Sequence, residues 1–266
     1  MKKLLVLFMT LALCASLFVA CAPATDPADD ADTTVADTTV ADDTTAADDT
    51  TAEPDDQPAD PAAKSEGVMT YAEYAAAELD SEVVIEAYVQ AKQSWWDNKA
   101  TVYAQDPDGA YFLYNMTCSE EDYAKLTTGT KIKVTGAKTA WEGEVEIVDS
   151  TFEIVEGNWV AEPMDVTALL GTDELINHQN KLVSFKGMTV EAITFKNNEP
   201  GDDIYVTLSK DGASYDFCVE FYLTGTDTDV YKAVEALEVG AVIDVEGFVY
   251  WYQGVNPHIT AVSAAE

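Results

Sequence analysis

The chain has 266 residues, 49 of them Asp or Glu and 14 lysine, with no arginine, for a formal charge of −35. A hydrophobic share of 47% is enough to build real cores, so the chain as a whole is not disordered. A polyanion without guanidinium groups is a poor partner for nucleic-acid phosphates, which are gripped by lysine and arginine.

The first segment reads as an address. Met1-Lys2-Lys3 gives a positive start, and Leu4 to Ala20 is a charge-free apolar run with no basic stop-transfer flank after it. Such a run is at the short limit for a membrane span and fits a cleaved signal peptide, residues 1–20. It ends in Leu17-Phe18-Val19-Ala20-Cys21, which resembles the lipobox of bacterial lipoproteins. That resemblance implies cleavage before Cys21, a diacylglycerol on its thiol, and lipid anchoring at the extracytoplasmic face of the bacterial cell membrane. Cys14 would leave with the signal peptide.

Residues 21–66 are expected to form the lipidated cysteine and a disordered acidic linker. Ala31-Asp32-Thr33-Thr34-Val35 repeats at once as Ala36-Asp37-Thr38-Thr39-Val40 and drifts into further Asp/Thr/Ala units. With almost no large apolar side chains, the stretch cannot offset its ordering entropy, and its net charge of −13 keeps it extended. The remaining residues, 67–266, carry −24.

Those residues contain an internal repeat. Leu126-x2-Gly129-x2-Ile132-x-Val134-x-Gly136 recurs as Leu237-x2-Gly240-x2-Ile243-x-Val245-x-Gly247. Upstream, Val83-x-Ile85-x-Ala87 aligns with Val183-x-Phe185-x-Gly187, and Asp108-Gly109-Ala110 with Asp211-Gly212-Ala213. In the first copy, Thr70-x-x-Glu73 is a capping box that opens a short helix. Val83, Ile85, Ala87 and Val89 alternate with polar residues as in a half-buried strand. A hairpin turns at Asp106–Gly109, Ser119-x-x-Asp122 starts a second short helix, and strands follow from Lys131 and around Val145 and Ile147. The second copy repeats the order with Ile204–Leu208, Ala213–Phe221, a helix carrying Val230, Val234 and Leu237, and Ala241–Glu246.

Three strands as a meander, a helix and two more strands is the order of the oligonucleotide/oligosaccharide-binding (OB) barrel. Both copies resemble the OB-like domains of exported Gram-positive proteins, some of which accompany extracellular nucleases. The expected fold class is therefore mainly β: two tandem OB-like five-stranded barrels with short helices, residues 67–160 and 161–266, after a disordered acidic linker.

OB barrels bind on the face of strands two and three, framed by the loops between strands 1–2 and 4–5. Those loops carry Trp95, Trp96 and Trp141 in the first copy, and Phe195, Trp251, Tyr252 and Asn256 in the second. Exposed tryptophans are costly, so the clusters either cap the barrel ends or form a platform for sugar rings or peptide aromatics. Membrane contact through the lipid and a glycan or protein ligand are the expected partners, with nucleic acid disfavoured by charge. Asp106-Pro107-Asp108-Gly109 and Gly201-Asp202-Asp203 offer oxygen ligands without the EF-hand spacing, so turn chemistry accounts for them and weak Ca²⁺ binding is the most they imply. No cofactor or resident metal is implied. His178 and His258 have no nucleophile or zinc spacing beside them, so no catalytic role is expected. Cys118 and Cys218 leave two states open, a disulfide or two buried thiols. The reading is a non-catalytic surface lipoprotein that binds an oligosaccharide, cell-wall fragment or protein. The alternatives are a structural lipoprotein without a small ligand, or a nucleic-acid-binding or nuclease-accessory module.

Overall fold

The computed structural model describes residues 60–265. The expected signal peptide, the expected lipidation site Cys21 and most of the expected linker lie outside the described residues.

The first half opens with α1 (Tyr71–Ala76), whose N-terminus is closed by the capping box that the sequence marks: the Thr70 side chain accepts from the Glu73 amide, and the Glu73 carboxylate accepts from the Thr70 amide. The strands β1 (Glu82–Lys92), β2 (Lys99–Gln105) and β3 (Ala110–Thr117) form a meander. α2 (Glu120–Lys125), capped by Ser119, leads to β4 (Thr130–Trp141) and β5 (Glu144–Asn158). β1 pairs with β4, and β3 runs parallel to β5 through Phe112 opposite Glu146 and Leu113 opposite Ile147. The five strands thereby close into a barrel in the order β1-β2-β3-β5-β4, with OB-like connectivity. Alternate residues of β1 and β4 (Val83, Ile85, Ile132, Val134) are fully buried inside it with Leu113, Met116 and Leu126.

The second half starts with a two-residue strand, β6 (Met164–Asp165), and two short 3₁₀ turns, Thr167–Leu169 and Asp173–His178. It continues through β7 (Leu182–Phe195), β8 (Ile204–Lys210), β9 (Ala213–Val219), α3 (Phe221–Thr224), α4 (Asp229–Glu235), β10 (Val242–Phe248) and β11 (His258–Ala264). Its sheet runs β10-β11-β9-β8-β7-β6 and has an extra β10–β7 pairing. The parallel contact of β11 with β9 is a single residue pair, His258 opposite Cys218. Phe185, Phe217, Val245 and Ile259 fill its core.

One expected boundary shifts here, and one alternative left open is decided. Folded structure begins before residue 67: the Lys64 ammonium is nearly buried, 2.6 Å from the fully buried Asp106 carboxylate and 2.8 Å from the Glu86 carbonyl. A low-complexity composition does not reveal that its single lysine is the counter-ion of a buried acid. Cys118 and Cys218 are both buried as free thiols.

The halves share a third apolar cluster. Tyr103 and Phe112 of the first barrel bury against Phe248 of β10, and the Tyr103 and Phe248 rings stack 4.2 Å apart and 5° from parallel. The Tyr103 hydroxyl lies 3.0 Å from His258 Nδ1. Polar contacts border the cluster: Gln105 accepts from the Leu182 amide, and the Gln179 side chain bonds the Val145 amide and the Gly143 carbonyl.

Candidate functional site

The halves meet at the Tyr103, Phe112 and Phe248 cluster, and an aromatic groove is lined by residues from both. Its wider part has a volume of about 720 Å³ and is lined by Trp96, Tyr114 and Trp141 from the first barrel and by Tyr222 and Tyr250 from the second half. It continues past Trp141 and Tyr250 into a section of about 420 Å³ that adds Tyr205, Tyr252 and Asn256. Trp96 is 77% exposed and Trp141 is 52% exposed, and Tyr114, Tyr205, Tyr222 and Tyr252 are exposed as well. Burying an indole is favourable, so this many water-facing rings converging on one concavity is an uncovered surface rather than a core.

Local structure explains each placement. The β1–β2 loop turns through Asp97 and Asn98, both at positive φ, and the short Trp96–Lys99 bridge holds the Trp96 ring outward. The neighbouring Trp95 is half-buried and donates its indole N–H to the Cys118 carbonyl at 3.0 Å, so it fixes the loop to the barrel. Trp141 ends β4, and its ring lies 5.1 Å from Tyr252 across the two halves. Trp251 faces the other way. It packs on the second core, its amide donates to Glu144 at 2.9 Å, and its ring covers Gly143, where a Cβ would come within 2.6 Å. Phe195 also packs on the second core. Of the seven candidate ligand residues, Trp96, Trp141, Tyr252 and Asn256 therefore share the groove, while Trp95, Phe195 and Trp251 serve the framework.

Tyr114, Tyr222 and Tyr250, together with Glu146 and Glu220, line the groove without having been picked out by the sequence. They come from a strand, a four-residue helix and the exit of β10, and only the docking of the two halves brings them together. The sole local signal is Tyr114, an exposed aromatic that ends the buried run Ala110–Leu113 of β3.

The charges on the groove are mostly negative. Glu146 is 7% exposed, and its carboxyl makes no hydrogen bond or ion pair among the described residues. Burial raises its pKa. The Glu220 carboxyl accepts from Gln93 Nε2 at 3.1 Å, and burial, then the nearby Asp203, push its pKa up to about 7. Beneath the rings, burial pushes Glu144 up to about 8 and His258 down to about 3, so at neutral pH the imidazole is neutral and Glu144 is largely protonated. Lys99 is the lysine on the rim.

No family model matches the chain, and neither does any curated protein sequence. Solved structures do. They include a murine DNA-binding protein bound with double-stranded DNA, at 14% identity over 69% of this chain and 97% of that one, with a TM-score of 0.34. The Ifi202 HINa domain in complex with 20-bp DNA matches at 10% identity over 69% and 98% of the two chains, with a TM-score of 0.32. A replication protein A heterotrimer bound to single-stranded DNA matches at 12% identity over 76% and 51%, with a TM-score of 0.31. Likenesses this distant say nothing about what the groove holds.

The candidate cation sites keep their oxygens for internal partners. Asp106 accepts from the Asp108 and Gly109 amides, the Tyr111 hydroxyl and Lys64. Asp202 and Asp203 share the Lys196 ammonium at 3.1 and 2.9 Å.

Proposed function

We propose that the chain is a non-catalytic binding module, held by a lipid on Cys21 at the extracytoplasmic face of a bacterial membrane, whose two OB-like barrels in tandem present the aromatic groove to an oligosaccharide or cell-wall fragment. The lipobox-like run and the acidic linker support the anchor. The repeated strand order and the β10–β7 pairing support the second barrel. The observation that carries the ligand class is the groove itself, with water-facing Trp96, Trp141 and Tyr252 over a floor that holds carboxyls. Flat rings stack on the apolar faces of sugars, and carboxyls and amides hydrogen-bond their hydroxyls.

Phosphate recognition has little to work with. Lys64, Lys131 and Lys196 pair with acids at 2.6–3.1 Å, and Lys138 and Lys210 point their ammoniums at backbone carbonyls. Among the described residues only Lys99, Lys133 and Lys181 make no side-chain hydrogen bond or ion pair, and Lys99 alone lies on the groove. A structural role belongs to a different set of aromatics, Tyr103, Phe248 and Trp251, which pack the halves together.

The test is calorimetric titration of the purified protein with chitin oligosaccharides, peptidoglycan fragments and single-stranded DNA. A glycan should bind, weaken about tenfold in Trp141→Ala, consistent with a stacking contact of about 1–2 kcal/mol, and be recovered intact. Shortened products would refute the non-catalytic assignment. DNA binding that collapses with salt, without any glycan binding, would replace the proposal.

A further inference from the structure

Glu146 stands apart from the other acid that lines the wider part of the groove, Glu220. Glu146 is more than nine-tenths buried, and its carboxyl lines the groove with neither a hydrogen-bond donor nor a cation among the described residues. Buried charges are normally paired, because desolvating an isolated carboxylate costs several kcal/mol. Asp106 and Glu86 follow that rule, with Lys64 at 2.6 Å and Lys131 at 3.0 Å, while the fully buried Glu144 has no cation, takes the Trp251 amide and lines neither section of the groove. Glu220 lines the same space and takes neutral donors alone, the Gln93 side-chain amide and the Tyr222 and Leu223 backbone amides. The Tyr250 phenol is raised by burial first and then by the charges of Glu144, Glu146 and Glu220, so three carboxyls lie within electrostatic reach of one groove ring. Acids without a counter-ion, set among aromatic faces, describe a seat for a positive charge, since a cation gains from the ring quadrupoles and from the carboxylates together.

We propose that the groove selects glycans bearing free amino groups, with a protonated primary amine held by Glu146 and Glu220 beside the rings of Trp141 and Tyr250. This rests on the glycan reading above and narrows it: the sugar rings stack, and the de-N-acetylated amine supplies the missing counter-ion. An N-acetyl group at the same ring position is neutral and leaves Glu146 unpaired. Lys99, at the Trp96 side of the groove, repels a second ammonium there and biases the charge toward Glu146.

The experiment compares oligomers of equal length of glucosamine and of N-acetylglucosamine, titrated into the full-length protein at about 0.15 M salt, where surface charge is screened beyond about 8 Å. The amino oligomer should bind about tenfold tighter. Glu146→Gln, which keeps shape and removes charge, should erase that preference by weakening the amino oligomer about tenfold, with a much smaller change for the acetylated oligomer. Glu121→Gln, an exposed acid away from the groove, should change nothing. Trp141→Ala should weaken both oligomers. Equal binding of the two oligomers overturns the amine assignment and leaves the glycan reading intact. Binding of neither overturns the glycan reading itself. An amino preference that survives Glu146→Gln and Glu220→Gln is diffuse attraction to an acidic protein, and overturns the site. Oligolysine that binds as tightly with the same dependence on Glu146 makes the groove a cation seat for peptides and overturns the sugar assignment.

Discussion

Glu144 sits where the halves touch, one carboxyl oxygen accepting from the Trp251 amide and the other, Oε1, buried without a donor or acceptor. Asn180 Oδ1 is likewise buried and unpartnered. Burial pushes the Glu144 carboxyl up to about 8 against the hydrogen bonds from Asn180 and the Trp251 amide, which lower it. A carboxyl raised from about 4.5 to about 8 adds stability in full below the lower value, and loses it as pH rises toward the upper one. Glu220, raised to about 7, has the same sign. His258, lowered to about 3, has the opposite sign: its contribution is complete above 6.5 and drains away as pH falls toward 3. With two raised carboxyls against one lowered imidazole, stability should therefore peak near pH 4.5 and decline toward pH 8. Glu144→Gln keeps an acceptor for Trp251 and does not titrate. It should be more stable than the parent at pH 8, by on the order of 1–3 kcal/mol, and nearly equal at pH 5, read from urea midpoints at the two values. A parent whose midpoint does not fall between pH 5 and 8 refutes the protonated carboxyl.

At the scale of elements, short helices are held by their ends. α1 has six residues, too few to persist alone. Its N-terminal capping box is written in Thr70 and Glu73, and sequence alone finds it. Its other end is not written locally. The Lys138 ammonium, sixty-odd residues on in β4, takes the carbonyls of Tyr74, Ala75 and Ala77 at 2.8–2.9 Å. Lys138→Met should cost about 1–2 kcal/mol and expose the α1 amides to hydrogen exchange while leaving glycan binding intact. The same divide separates what the sequence shows of the fold from what it hides of the site. Period-2 alternation, capping boxes and the repeated Leu-x2-Gly-x2-Ile pattern are local physics, so strands, helices and their order are legible. Which of Trp95 and Trp96 faces water is decided by two positive-φ residues after them and a carbonyl at Cys118, and the opposite fates of Trp141 and Trp251 depend on the partner half. Gly143 shows the dependence most directly. With φ +100 and a Cβ position inside the Trp251 ring contact, it permits the approach of the two hairpins. Gly143→Ala should lower stability by about 1–3 kcal/mol and weaken binding, measured by thermal melting and by titration.

At the scale of the molecule, the groove exists only if the two halves keep a fixed relation, since Trp141 meets Tyr252 and Gln93 meets Glu220 across it. That relation is maintained by a small cluster: the stacked Tyr103 and Phe248, Phe112 beside them, and the Tyr103 hydroxyl on the neutral His258. Each half has its own larger core, so the cluster's effect is on cooperativity more than on whether either half folds. Phe248→Ala removes the stacked ring and leaves a cavity between the halves at a cost of about 3–5 kcal/mol. The parent should unfold in one transition, with tryptophan fluorescence, dominated by the four indoles before residue 160, coinciding with far-ultraviolet circular dichroism. In Phe248→Ala the two signals should separate into two steps, and glycan affinity should fall even though Phe248 lines neither section of the groove. Tyr103→Phe is the milder version: it keeps the stack, strands the buried imidazole nitrogen, and should cost about 1–3 kcal/mol without splitting the transition. A variant at Phe248 that still unfolds in one step and binds as the parent does would show that the border hydrogen bonds, from Gln105 to Leu182 and from Gln179 to Gly143, suffice to couple the halves.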